Sequence, residues 1–424
     1  MRLLHTSDWH LGKRLERFSR LPEQKEVLAE IVEIADTHKV DAVLISGDLF
    51  DSFTPPVEAE ELFYRSLKRL SSDGARPVIA IAGNHDSPDA IQAPDPLARE
   101  HGIILLGYHL TRGGETVNEA GLKFDFPAPG LLRIFFPDPQ LPGLTVIAAP
   151  YANERRLHRF LSEKGEIPNQ EERELNSQVA EHWRRTAEDF FRPDSVNVMM
   201  GHLFCLNRGR NYLQLSELEE PEDERPILYP GGLAPFHADM FPPQCQYIAL
   251  GHLHRSQSIE GGPCPVYYSG SPLSFSLSEA EQRKYVHLVD IEPDGPAEVK
   301  KIELHSGLPI YRRTFDDIEK AEDWLRENQR AYVELHLVLD DYLQTEDRRR
   351  LTDSHPLLLS IVPEVSKDGG EMKREAVDID RPMEELFSEY FASRNDGQRA
   401  PARIIELFRE VLAEQDARQE SHGT

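Results

Sequence analysis

The 424-residue chain is too long for one ordinary domain and fits two or three. Hydrophobic residues make up 39% and charged residues 29%, which excludes a wholly disordered or collagen-like chain, and no run approaches the roughly 18 apolar residues that a membrane helix needs. With 48 Lys and Arg against 74 Asp and Glu, the net charge of −26 repels nucleic acid on average, so an anionic substrate requires a local basic rim or bound cations.

In chain order, the apolar run Arg2 to His5 reads as a strand leading into Ser7-Asp8-Trp9-His10. Helical patterns over Glu23 to Thr37 and Glu58 to Leu70 alternate with apolar runs Val40 to Ile45 and Pro77 to Ala82, giving a βαβαβ order. Gly113 to Gly143 reads as a hairpin or irregular insertion, and Glu154 to Phe191 as a long charged helical excursion. Val196 to Met200 before Gly201-His202, and Tyr247 to Leu250 before Gly251-His252, repeat the device of a strand ending in a polar cluster. Beyond Pro272, strands at Tyr285 to Ile291, Val299 to His305, Ala331 to Leu339 and Leu357 to Val362, with helices at Asp316 to Asn328 and Gln344 to Leu351, predict a small separate α/β domain. A glycine linker at Gly369-Gly370 precedes two short amphipathic helices. The domain expectation is therefore 1–283, 284–375 and 376–424.

Five strand ends carry the chemistry. Asp8 and His10 stand two apart, which in extended backbone sends both side chains to one face. Gly47-Asp48-Leu49-Phe50-Asp51 and Gly83-Asn84-His85-Asp86 add oxygen donors after a turn-permitting glycine, and Gly201-His202 and Gly251-His252-Leu253-His254 add imidazoles. Asp8, His10, Asp48, Asn84, His202, His252 and His254 make seven candidate ligands, enough for two divalent cations that share a carboxylate and keep an open face. The mixed nitrogen and oxygen set suits Mn²⁺, with Mg²⁺ or other divalent ions as alternatives. The three cysteines, Cys205, Cys245 and Cys264, include no CxxC pair, which points away from a disulfide framework or a thiolate zinc site and toward a reducing cytoplasm.

In order, DxH, GDxxD, GNHD, GH and GHxH resemble the signature of the binuclear metallophosphoesterases. That resemblance implies a four-layer α/β sandwich of two sheets flanked by helices, with the α/β domain as a cap. It implies that Asp48 bridges, that Asp8, His10 and His254 complete one metal, and that Asn84, His202 and His252 complete the other. His85 resembles the family's proton donor to the leaving oxygen, and Asp51 the carboxylate that orients it. The stretches Leu4 to Gly12, Ser46 to Asp51, Tyr247 to His254 and Tyr268-Ser269-Gly270-Ser271-Pro272, with Lys284-Tyr285-Val286, resemble the SbcD-type nuclease subunits of bacterial SbcCD complexes.

This second resemblance implies a Mn²⁺-dependent 3′–5′ double-strand exonuclease and single-strand or hairpin endonuclease serving DNA repair and recombination. It further implies an SbcC-type ATPase partner, a homodimer within a heterotetramer, nucleoid association and no membrane contact. The absence of Arg-Gly after GDLFD weakens a protein-phosphatase reading; a small-molecule phosphodiesterase or phosphatase and a non-catalytic DNA-end scaffold are the alternatives. Lys13, Arg14, Arg17, Arg20, Arg208, Arg210 and Arg255 follow metal motifs and form a candidate phosphate-contacting rim. Met383, Leu386, Phe387, Tyr390 and Phe391, and then Ile405, Phe408 and Leu412, form two apolar stripes that short helices bury poorly on each other, so they are expected to receive the partner.

Overall fold

Leu3 and Leu4 are both fully buried yet belong to different layers, because successive side chains of a strand leave opposite faces. Leu3, Ala42, Leu44, Ile79 and Ile81 point inward onto a second sheet, whereas Leu4, Val43, Ile45, Val78 and Ala80 point outward onto the helices Leu21–Thr37 and Val57–Leu70. A strand buried on both faces has to be apolar throughout, which is why these runs lack polar alternation. The computed structural model describes residues 1–152, 172–207 and 235–365, together with Phe387, Phe391, Ile405 and Phe408.

The first sheet has six strands in the order Glu298–Glu303, Tyr285–Asp290, Arg2–Thr6, Ala42–Ser46, Val78–Ile81 and Ile103–Leu106, the last four parallel. The second has eight: Gln257–Ile259, Val266–Tyr268, Tyr247–Gly251, Ser195–His202, Gly143–Ala149, Leu131–Phe135, Lys123–Ala128 and Thr116–Val117. Its outer face packs on the helix Glu172–Phe190 through Leu175, Val179 and Trp183. The result is the expected four-layer α/β sandwich, with the insertion at 113–143 forming hairpin strands at one edge.

One boundary needs correction. The strands Tyr285–Asp290 and Glu298–Glu303, expected in the second domain, pair antiparallel in the first sheet through Leu4 opposite Leu288. Their apolar alternation marks them as strands, but which sheet they join is decided by long-range pairing with the N-terminal strand. The small α/β layer therefore begins at Ile310, not at 284. It holds three parallel strands, Ile310–Phe315, Tyr332–Leu339 and Leu358–Val365, covered by helices Ile318–Glu327 and Thr345–Ser354 around Ala321, Leu325, Val333, Leu335 and Leu351. The buried Arg20–Glu23 pair joins it to the core: Tyr332 Oη donates to Glu23 at 2.8 Å, and the Leu308 amide donates to the same carboxylate at 2.6 Å.

Residues 366–424 form a separate unit. Within it Phe387 stacks on Phe408 at 4.1 Å and 10°, which brings together one residue from each apolar stripe. Met383, Leu386, Tyr390 and Leu412 lie outside the described residues.

Candidate metal centre

All five motifs converge at the carboxyl ends of strands from both sheets. The backbone does not get there by the extended geometry that the D-x-H spacing suggested. The first strand ends at Thr6, and Asp8 (φ 54°), His10 (φ 43°) and Asp48 (φ 49°) all adopt left-handed backbone, at a cost of about 1 to 2 kcal/mol each. Interloop hydrogen bonds hold them there: Asp8 N–H to the Gly47 carbonyl at 2.9 Å, and His10 N–H to the Asp48 carbonyl at 3.0 Å. From the neighbouring helix, Gln24 donates to the His10 carbonyl at 2.7 Å and the Trp9 carbonyl at 3.2 Å. At Gly83 a Cβ would lie 2.1 Å from the Asp48 carboxylate, and at Gly251 a Cβ would lie 1.9 Å from the Ser46 carbonyl, so only glycine lets these loops close.

The donors fall into two groups. His10 Nε2 lies 3.0 Å from His254 Nε2, and Asp8 completes a buried cluster with them while also clustering with Asp48 and His202. His202 Nε2 and His252 Nδ1 lie 2.9 and 3.0 Å from Asn84 Oδ1. Asp48 Oδ2 stands between the groups, 3.5 Å from His10 Nε2 and 3.4 Å from His202 Nε2. Ligands about 2.1 Å from one ion and at right angles to each other are about 3 Å apart, so these separations fit two ions sharing Asp48. In GHxH, His252 faces one group and His254 the other.

Charge is balanced within the site. Burial alone would raise the Asp48 carboxyl, but His202, His10 and His85 together hold it well below the usual range. His202 moves the other way: burial opposes its charge, yet Asp48 and Asp8 push its pKa up to about 9. Its Nδ1 donates to the Ser46 carbonyl at 2.9 Å, which aims Nε2 at the centre. His10 is lowered by burial, and His252 is lowered to about 3 by burial and by His202. Asp8 is raised to about 6, chiefly by burial.

His85 sits beside this group, its ring 4.9 Å from that of His10, and its amide donates to Asp48 at 2.9 Å. Its Nδ1 donates to the main-chain carbonyl of Asp51 at 3.0 Å. The Asp51 carboxylate pairs with Lys13 Nζ at 2.9 Å, lies 3.7 Å from His10 Nδ1 and stands within 4.8 Å of a His85 ring nitrogen without a hydrogen bond to it, so the expected carboxylate clamp on His85 is corrected to a backbone clamp. Arg20 is likewise corrected: it is fully buried, paired with Glu23 and bonded to the Ser274 carbonyl, and so is withheld from any phosphate. Arg14, Arg17 and Arg255 are exposed, with Arg17 reaching the Leu358 carbonyl at 3.1 Å. Arg208 and Arg210 lie outside the described residues.

Sequence reasoning missed Asp86, although it is part of GNHD. Its carboxylate accepts from the amides of Gly83, Leu49 and Phe50 at 2.7, 3.0 and 2.9 Å, pinning two ligand loops together. A carboxylate one residue past the recognised donors was the available signal.

Two sheets, five strand-end loops and a carboxylate standing between two donor groups define a phosphoesterase built around two divalent cations, and residues 1–256 match the calcineurin-like phosphoesterase family. The chain is 35% identical to the SbcD subunit of the SbcCD nuclease of Bacillus subtilis over 99% of its length and all of that protein's. It is 34% identical to the Rhodobacter capsulatus SbcD subunit over 74% of this chain and 71% of that one, and 29% identical to that of Escherichia coli over 97% and 98%. The chain belongs to the SbcD family of nuclease subunits within the calcineurin-like phosphoesterases. Among the described residues, no helix is long and apolar enough to cross a membrane.

Proposed function

We propose that the chain is the nuclease subunit of a DNA-end-processing complex, hydrolysing phosphodiester bonds as a 3′–5′ exonuclease on duplex ends and an endonuclease on hairpins and single strands. The observation that carries the reading is the convergence of six donor side chains around a seventh, the Asp48 carboxylate, in a chain similar over its whole length to a nuclease subunit. Asp8, His10 and His254 would hold one cation and Asn84, His202 and His252 the other, with Asp48 between them and Mn²⁺ as the ion that suits the donors. Bound there, the pair supplies a hydroxide nucleophile at neutral pH and neutralises charge on the phosphate.

The chain's own residues do the rest. With Nδ1–H committed to the Asp51 carbonyl, His85 keeps Nε2 for the substrate and donates its proton to the leaving oxygen. Exposed Arg14, Arg17 and Arg255 contact flanking phosphates, compensating locally for the chain's negative charge. An SbcC-type ATPase binds the terminal unit, and two copies of each chain form the working heterotetramer.

The test is cleavage of linear duplex, hairpin and single-stranded DNA by the full chain with Mn²⁺, beside bis-p-nitrophenyl phosphate. DNA cleavage that stops on chelation is the expected result. Hydrolysis of the small diester alone would make the protein a small-molecule phosphodiesterase, and DNA binding without cleavage in any divalent ion would make it a scaffold.

A further inference from the structure

The segment Tyr268-Ser269-Gly270-Ser271-Pro272 and Lys284 take no part in the reaction described so far. They sit behind one half of the metal centre. Ser269 Oγ lies 2.7 Å from Ser7 Oγ, which in turn bonds the carboxylate of Asp8. Lys284 Nζ donates to Ser271 Oγ at 3.0 Å and to the His254 carbonyl at 3.1 Å, and it is ion-paired with Glu279. Glu279 is fully buried, and its Oε1 lies 3.4 Å from His254 Nδ1. The same oxygen accepts from the amides of Phe275 and Ser276 at 2.9 and 3.1 Å, so the carboxylate is fixed independently of the ring it faces.

Both ends of this network reach the Asp8–His10–His254 cluster, and Asp8 touches the other group only through its second oxygen, which accepts from the His252 amide at 2.9 Å and clusters with Asp48 and His202. The ligand His202 of the other cation is set by a main-chain carbonyl instead. A carboxylate accepting from the non-ligating nitrogen of an imidazole keeps the proton on that nitrogen and turns the other lone pair, here Nε2, toward the metal. We propose that Glu279 is a positioning residue for His254, and that the Ser269–Ser7 and Lys284–Glu279 pairs together set the affinity of the Asp8–His10–His254 cation far more than that of its neighbour. The inference rests on the two-metal reading above.

The test is calorimetric titration of the full chain with Mn²⁺, with bound metal counted by plasma emission after gel filtration. Fewer than two ions on the unmodified chain would overturn the two-metal reading itself, a result distinct from any below. Glu279→Gln is expected to weaken one of the two binding events by about 10- to 100-fold and the other by less than about threefold. Because that variant strands the buried ammonium of Lys284, two others accompany it. Ser269→Ala acts on the same cation through Asp8 and is expected to weaken one event by severalfold. Glu279→Gln with Lys284→Met removes both charges and is expected to keep the one-ion defect at an unaltered melting temperature in chelator. Equal weakening of both ions, no weakening of either, or recovery of full metal affinity in the double variant would show that these residues only pack the loop. If Glu279→Gln fails to fold, the other two variants decide.

Discussion

His85 Nδ1 donates to the carbonyl oxygen of Asp51 at 3.0 Å, while the carboxylate of the same aspartate pairs with Lys13. A carbonyl only accepts, so the contact fixes the proton on Nδ1 whatever side chain position 51 carries. Asp51→Asn is therefore expected to lower turnover by less than about fivefold and to leave the acidic and basic limbs of the pH–rate profile in place. A limb displaced by a full pH unit would restore the carboxylate as the group that tunes His85.

Replacing His85 itself separates chemistry from metal binding. Its ring is beside His10 and forms with His10 and Asp51 a further, less buried cluster outside the two groups around Asp48, so His85→Ala is expected to retain both cations and lose about 10²- to 10⁴-fold in turnover on single-stranded DNA. Asp48→Ala, which removes the carboxylate lying within 3.5 Å of ligands from both groups, is expected to lose both cations. Metal counting on the two variants side by side checks the contrast.

Arg20 belongs to the joint between core and cap. It pairs with Glu23 and lies over the Tyr332 ring at 4.8 Å, with no exposed surface. Removing one partner of a buried pair strands the other, so Arg20→Met is expected to cost about 3 to 5 kcal/mol of stability in urea titrations. It should leave the salt dependence of DNA binding unchanged. Arg14→Ala is exposed and should do the reverse, reducing the slope of log K against log salt by about 0.9 with stability intact.

The two parts of the molecule were unequally legible. The candidate donors around Asp48, Asn84, His202 and His252 could be picked out because glycine followed by a donor at a strand end is a local pattern, and the structure brings those strand ends together. The left-handed backbone at Asp8 and His10 could not, since D-x-H spacing is equally compatible with an extended chain. Glu279 and Ser269 escaped because their partners, His254 and Ser7, are 25 and 262 residues away in sequence. The strand Ile310–Phe315 was missed for a different reason: Ile310 alone is buried in it, and Arg312 and Arg313 break the apolar run. Tyr285–Asp290 was readable as a strand, but its partner Arg2–Thr6 was not.

Away from the metals, the buried ring of His287 sits 5.7 Å from that of His5 and faces Ser256 Oγ at 3.0 Å. Burial, with help from Lys301, lowers its pKa from the ordinary 6.5 to about 3. The unfolded chain takes up a proton there as pH falls through 6.5 while the folded chain does not until about pH 3, so stability is lost progressively across that window. Between pH 7.5 and 5.5, in chelator, the unmodified chain is expected to lose about 1.4 kcal/mol more than His287→Gln. Parallel losses in urea titrations at the two pH values would mean that the folded ring protonates normally.

The terminal unit yields the remaining prediction. Phe387 stacks on Phe408 at 4.1 Å, and Phe391 lies 6.2 Å from Phe387 at a tilt. Such aromatic pairs contribute about 0.5 to 1.5 kcal/mol beyond the area they bury, which helps this segment hold together as a unit of its own. None of the seven candidate ligands lies in it, and residues 1–365 cluster without it. Deleting residues 366–424 is therefore expected to keep Mn²⁺-dependent cleavage of single-stranded DNA within about threefold and to abolish co-elution with an SbcC-type ATPase in size-exclusion chromatography. Phe387→Ala with Phe408→Ala, which dismantles the stack in the full chain, should weaken co-elution in the same direction. Retained co-elution of the truncated chain would assign the partner surface to residues 1–365 and leave the aromatic stack a purely internal contact.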